Sequence, residues 1–225
     1  MSNQQNYRYE KKILISHLTK EQVQSIISIN PIGFKQLYQP RFINNIYFDD
    51  NNLQLYQSSV EGDLKRVKIR IRWYGELFGT IDNPILEIKI KEGMLSKKVL
   101  IPLKSFYFDQ QTDILKVLKK NSLDIKKYII NWRSLYPTLV NRYYREYHIS
   151  FNGKFRATID YEQAFYSVLS FNRISYGAID QKDSVILEIK YGAENSAYAN
   201  EFISRLPLRV TKSSKYVKGI ELTTM

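Results

Sequence analysis

The sequence predicts an α+β fold: a closed antiparallel β-barrel of about eight strands that forms a basic tunnel, with helices packed outside. Three observations carry that expectation. Most of the strongly patterned segments alternate with period 2. Their polar faces are charged in an unusually uniform way. Their opposite faces are apolar, and helical segments lie between them that could cover those faces.

Period-2 alternation marks a strand with two unlike faces. Tyr7–Ile15 sets Arg8, Glu10 and Lys12 against Tyr9, Lys11 and Ile13. Thr19–Ile29 reads as a helix, and Arg41–Asp49 as the next strand. Lys65–Gly75 alternates most clearly: Arg66, Lys68, Arg70 and Arg72 oppose Val67, Ile69, Ile71 and Trp73. Pro84–Gly93 and Lys97–Leu103 read as a hairpin that turns at Gly93. Gln111–Trp132 has apolar residues at helical spacing, with a break near Asn121. Thr138–Phe151 and Lys154–Glu162 flank Asn152–Gly153, and Asn-Gly is a strong short hairpin signal. Val185–Tyr191 is a further strand. Asn195–Leu206 is a helix capped by an Asn or Ser. Leu208–Ile220 reads as a short strand followed by a turn or short helix.

The bulk numbers bound the rest. The 225 residues are 44% hydrophobic and 14% aromatic, enough for a real core, so the chain is not disordered. No stretch reads as a linker, and we expect one domain over residues 1–225. There is no cysteine, which excludes disulfides and thiolate zinc sites. His17 and His148 are the only histidines, too few for a multi-histidine metal site, and read as structural. The polar N-terminus is no secretory signal, and no apolar run of about 18 residues exists. The expectation is a cytoplasmic protein that does not insert into a membrane. A net charge of +12, from 34 basic and 22 acidic side chains, implies an anionic partner. No phosphate-loop, dinucleotide or nucleophile-elbow motif is present.

A charged strand face is ordinarily the wet side of an antiparallel sheet. Three features argue otherwise here. Arg66, Lys68, Arg70 and Arg72 place like charges about 7 Å apart, and such charges repel unless an anion bridges them. The pattern Glu-x-Lys recurs at Glu10/Lys12, Glu87/Lys89 and Glu188/Lys190, and "ILEIK" itself occurs twice, at Ile85–Lys89 and Ile186–Lys190. The opposite faces are strongly apolar. A barrel with its apolar face outward under helices and its charged face inward reconciles these features. Its basic lumen would hold a polyanion, and a few glutamates would hold a divalent cation together with phosphate oxygens.

The ordered set of R-x-E-x-K, IRIRWYG, LEIK, KKVLIPL, NR, FRATID, a second LEIK and KSSK resembles the VTC (vacuolar transporter chaperone) domain. That family is the polyphosphate polymerase branch of the CYTH-like triphosphate tunnel metalloenzymes. The resemblance implies a tunnel that binds a nucleoside triphosphate by its phosphates. It implies that Lys12, Lys89, Lys98, Arg142 and Arg156 hold phosphates, as do Arg70 and Arg72 nearest the chemistry. Lys212, Ser214 and Lys215 resemble the late basic motif beside the reacting phosphates. Glu188, with Glu10 second, would hold Mn²⁺ or Mg²⁺. Two departures stand out. Arg8 occupies the first carboxylate position of the superfamily's Glu-x-Glu-x-Lys, which favours the polymerase-like branch. Val140 stands where VTC domains commonly carry a tyrosine two residues before the arginine, with Tyr143 and Tyr144 as its candidate replacements.

Phosphoryl transfer needs positioning and charge neutralisation more than covalent help. The expected activity is transfer of the terminal phosphate of ATP to a growing inorganic polyphosphate chain. A triphosphate or polyphosphate hydrolase, with water as acceptor, is the first alternative. A non-catalytic binder of polyphosphate or nucleic acid is the second, with the 18 tyrosines as a stacking surface. ATP and polyphosphate are the expected partners and nucleic acid is not. Lacking membrane helices of its own, the chain would need a partner protein to act at a membrane.

Overall fold

Alternating β-branched and charged residues produce strands wherever they run long enough to leave one face dry. The computed structural model describes residues 8–93, 95–120, 132–169, 171, 173–175, 177–181, 183–211 and 213–224. Among them the elements follow in chain order: β1 (Arg8–Ile15), α1 (Lys20–Ser28), β2 (Phe34–Asp49), α2 (Gln54–Glu61) and β3 (Lys65–Tyr74). Next come β4 (Gly79–Ile81), β5 (Ile85–Glu92), β6 (Leu95–Pro102), β7 (Phe106–Phe108) and α3 (Ile114–Lys120). The chain continues through β8 (Tyr136–Ser150), β9 (Phe155–Ser167), β10 (Ile179–Gln181), β11 (Val185–Gly192), α4 (Ser196–Ser204) and α5 (Lys215–Thr224).

The fold is α+β on a mostly antiparallel sheet, as expected. The main sheet has the hydrogen-bonded order β1-β11-β9-β8-β2-β3-β5-β6, with β10 on β9, and β4 pairs with β7 separately. The expected closure is not seen: β1 and β6 are the two ends of this path and do not pair with each other. Alternation sets the two faces of a strand but not its neighbours, so closure was beyond the pattern's reach. None of the described helices is long and apolar enough to cross a membrane.

The chain divides into two compact units. The first comprises residues 1–41, 143–163 and 181–213, and the second residues 42–142, 164–180 and 214–225. In the first, β1 lies antiparallel to β11, and β11 to β9. Their apolar residues Ile13, Ile15, Ala157, Ile159, Leu187 and Ile189 are buried against Val23 and Ile27 of α1 and Phe202 and Ile203 of α4. Helix α1 starts where expected because Thr19 and Gln22 close a reciprocal cap: Gln22 N–H donates to Thr19 Oγ1 (3.3 Å) and Thr19 N–H to Gln22 Oε1 (2.8 Å). Asn195 precedes α4 but makes no side-chain cap.

In the second unit, β2, β3, β5 and β6 are antiparallel neighbours in that order. Ile69, Ile71 and Trp73 of β3, Leu86 and Ile88 of β5 and Ile101 of β6 form the dry face. Ile114, Val117 and Leu118 of α3 pack in the same cluster. Helix α5 is fixed from its own side. Tyr216 stacks on Tyr47, with ring centroids 5.0 Å apart, and donates to buried Asp49 at 2.6 Å. The β5–β6 hairpin turns at Gly93, whose φ of +57° suits a residue without a Cβ. The two halves of the Asn152–Gly153 hairpin end at Ser150 and resume at Phe155. Three readings are corrected. Strands β2 and β9 are longer than the alternation suggested, and α2 has no counterpart in it. Among the described residues no strand follows Leu208, while the expected turn or short helix is present as the ten-residue helix Lys215–Thr224. Residues 121–131 of the expected helical stretch lie outside the described residues.

Candidate functional site

The second unit gathers cations by strand register. Lys68 of β3 lies opposite Lys89 of β5, and Lys89 lies opposite Lys98 of β6, so three lysines form one row across three strands. One step along, Arg70 lies opposite Glu87. Cross-strand partners share a face, and like charges directly opposite destabilise a sheet. Glu87 answers part of that charge. It is 5% exposed. It accepts from Arg70 Nε at 2.7 Å and Lys98 Nζ at 2.6 Å, with Arg72 NH1 3.6 Å away. Burial raises its pKa, but Arg70, Arg72 and Lys98 outweigh burial and bring it down to about 2. The surplus remains positive: burial and the neighbouring guanidiniums pull Lys98 below its usual value despite Glu87.

Three further contacts define this face. Arg70 NH1 donates to Tyr47 OH at 3.1 Å, and Arg72 Nε donates to Asn45 Oδ1 at 2.8 Å. Lys68 Nζ donates to Ser214 Oγ at 2.7 Å. Ser214 Oγ also accepts from Val217 N–H at 3.3 Å, so it caps α5 and sets Lys215 in the first turn. Burial and Lys215 together depress the pKa of Lys218. Lys212 lies outside the described residues.

Arg142 is not part of this cluster. Its guanidinium lies 3.7 Å from the centroid of the Phe42 ring, and NH2 meets Glu76 at 3.5 Å. The cause is strand phase. Val140 is buried in the apolar cluster, and Arg142, two residues on, follows it onto that face. Asn141, between them, donates no side-chain bond but accepts from Asn45 Nδ2 at 2.9 Å on the polar face.

The first unit holds the carboxylates. Lys12 of β1 lies opposite Glu188 of β11, and Glu10 opposite Lys190. The four side chains interlock: Lys12 Nζ is 2.8 Å from Glu10 and 3.3 Å from Glu188, and Lys190 Nζ is 2.5 Å from Glu188 and 3.9 Å from Glu10. Burial opposes ionisation of Glu188, but Lys12, Lys190 and Arg145 hold its pKa well below the usual range. Burial likewise works against the charge on Lys12, and Glu188 and Glu10 more than offset it. Arg156 is exposed on β9 with Lys190 as its cross-strand partner. The sequence reading paired Lys190 with Glu188 but gave it no role of its own, and it overlooked Arg145. Arg145 forms a two-pronged pair with buried Asp160, at 2.5 and 2.7 Å. Tyr143 precedes it by two residues, with Arg145 Cζ 5.3 Å from its ring. The tyrosine–x–arginine spacing missing at Val140 and Arg142 occurs three residues later, on the other face of β8.

Among the described residues of this constellation, Glu10 and Glu188 are the carboxylates open to a divalent cation, both already engaged by lysine. No group of three or more His, Asp or Glu that could hold an ion occurs among the described residues. Two carboxylates suit a hard cation only when other oxygens, such as those of phosphate, complete its shell. Two cavities among the described residues are lined by other side chains. One of about 470 Å³ is lined by His17, Lys20 and Tyr161 in the first unit. One of about 510 Å³ is lined by Lys104, Tyr107 and Arg173 in the second.

Comparison with known proteins adds two findings. The profile of the VTC domain matches residues 4–224. Among solved structures, a Vibrio parahaemolyticus protein described as a "putative adenylate cyclase" superposes with a TM-score of 0.52 at 11% identity. The match covers 94% of this chain and 96% of the other, and shows a shared fold. Curated protein sequences return no match.

Proposed function

The chain belongs to the VTC domain family, and on that premise we propose that it is a polyphosphate polymerase. It would transfer the terminal phosphate of ATP to inorganic polyphosphate with Mn²⁺ or Mg²⁺. One observation carries the reading: strand register sets Lys68, Lys89 and Lys98 in one row across β3, β5 and β6, with Arg70 and Arg72 beside it on the same face of β3. Like charges set in register across neighbouring strands repel, and a chain of phosphates, with a charge on every unit, can bridge them.

In this reading Arg70 and Arg72 bind phosphoryl oxygens through paired donors, and Lys68, Lys89 and Lys98 act as point charges. Lys215 joins them from the first turn of α5, where the helix dipole also favours an anion. Lys12 and Arg156 hold phosphates in the first unit. Glu188 and Glu10 are the residues that would hold the cation, which supplies charge neutralisation at phosphate oxygens when bound. Arg145 replaces Arg142 as the arginine following a tyrosine.

The test is product analysis after incubation with ATP and Mn²⁺ or Mg²⁺. Long polymer supports the reading. Orthophosphate alone would assign a hydrolase, and no turnover with saturable polyphosphate binding would assign a binding module.

A further inference from the structure

We propose that the cavity of about 510 Å³ in the second unit is a nucleotide site that shares no lining residue with the row of lysines. It takes the base of a nucleoside phosphate against Tyr107 and Phe171, and the phosphate against Lys116 and Arg173. The site stands whether or not the chain is a polymerase. Three segments of the chain build it. In β7, Phe106 and Phe108 pack edge-on against Trp73, with ring centroids 6.3 and 5.3 Å away, and the alternation of the strand turns Tyr107 outward. Tyr107 is 64% exposed. The turn after β7 is preset: Asp109 accepts from Gln111 N–H at 2.9 Å and from Thr112 Oγ1 at 2.7 Å. It leads into α3, which supplies Lys116. The third segment doubles back on itself. Ser175 N–H donates to the Ser167 carbonyl at 2.9 Å, and Leu169 N–H to the Arg173 carbonyl at 2.6 Å. Ile174 anchors it in the apolar cluster, and Phe171 beside it is 81% exposed.

The lining fits one class of ligand. A lone exposed aromatic needs no explanation, but two that line one cavity beside cations do. Of the charged side chains in the wall, Lys104, Lys116 and Arg173 are cationic and Asp113 is anionic. Asp113 can offset at most one of them, so at least two lining cations have no lining carboxylate. An anion without a ring would leave Tyr107 and Phe171 bare, and an uncharged ring would leave the cations bare. A nucleoside phosphate meets both demands. Every base offers a π-face for stacking, and a phosphate accepts from a guanidinium through paired donors. The volume also lies in the range of roughly 300–1,000 Å³ that small-molecule sites occupy.

Binding of AMP, GMP, CMP and UMP, without metal, is measured by calorimetry on the full chain. At least one should bind saturably. Tyr107→Ser and Phe171→Ser should each raise its Kd about tenfold, the range of one lost base–aromatic stack. Lys116→Gln and Arg173→Gln should each raise it about tenfold in low salt and much less in 1 M salt, where charge is screened. All four side chains are exposed, so the melting temperature should stay at the parent value. Inorganic tripolyphosphate, which has no ring, should bind the two serine variants as it binds the parent. Absence of saturable binding by any of the four nucleotides would overturn the proposal. So would losses from Lys116→Gln and Arg173→Gln with none from the serine variants, which would make the cavity a phosphate site blind to the base. Nucleotide binding that Lys98→Ala abolishes and all four cavity variants retain would put the nucleotide on the lysine row, overturning the cavity site and leaving the polymerase reading intact.

Discussion

Glu87 is the buried counter-charge of Arg70, Arg72 and Lys98, and its pKa falls from the ordinary 4.5 to about 2. At about 1.4 kcal/mol per decade of proton affinity, that displacement is worth about 3 kcal/mol of folding stability. The side chain is only 6% exposed, so solvent screens little of it. Because the folded pKa is depressed, the contribution is fully present above about pH 4.5 and is lost as pH falls towards 2. Glu87→Gln removes the charge and keeps the shape. At pH 7 the variant should be less stable than the parent by about 3 kcal/mol, as expected for breaking a buried ion pair. At pH 2.5 the gap should shrink to about 1 kcal/mol, because the parent's carboxylate is then close to protonation. Urea unfolding, followed by the fluorescence of buried Trp73 across this range, measures the gap directly. A gap of the same size at pH 7 and pH 2.5 would refute the argument, since the stabilisation would then not come from an ionised Glu87.

Four further outcomes are expected. Glu188→Gln should abolish turnover of ATP with Mn²⁺ or Mg²⁺ while tripolyphosphate binding, measured separately, changes less than about threefold; full activity would place the cation elsewhere. Lys98→Ala should weaken tripolyphosphate binding about tenfold in low salt and much less in 1 M salt, where the charges are screened. In the parent protein, tripolyphosphate affinity should fall as pH rises through the depressed pKa of Lys98, below the ordinary 10.5, and titration of Kd against pH should show that fall disappear in Lys98→Ala. Arg145→Leu leaves Asp160 buried without its pair and should cost about 3–5 kcal/mol in urea unfolding.

The alternation in Lys65–Gly75 was enough to assign strand β3, its dry face and its charged face. Helix α1 was equally legible, because Thr19 and Gln22 carry a local capping signal. Strand β2 was read from Arg41, but it begins at Phe34: its first residues follow no clean two-residue pattern, and Gln36, Tyr38 and Pro40 do not mark a face. The phase of β8 was not legible in the sequence. Arg142 and Arg145 lie on opposite faces of one strand, and both are arginines near tyrosines. Only the burial of Val140 and Tyr143 to either side, and the pairing of Arg145 with Asp160, tell them apart.

What the sequence by itself determined is each residue's side: which positions are dry, which are charged, and that positive charge is in excess. These follow from a period of two and from counting, and both are local. What only the tertiary structure decided is who stands next to whom. The row Lys68–Lys89–Lys98, the convergence on Glu87, the interlocked Glu10, Lys12, Glu188 and Lys190, and the Asn45–Asn141 amide contact all depend on strand register. Register is a relation between segments far apart in the chain. It is chosen by packing of the apolar faces as whole surfaces, and no single segment encodes it.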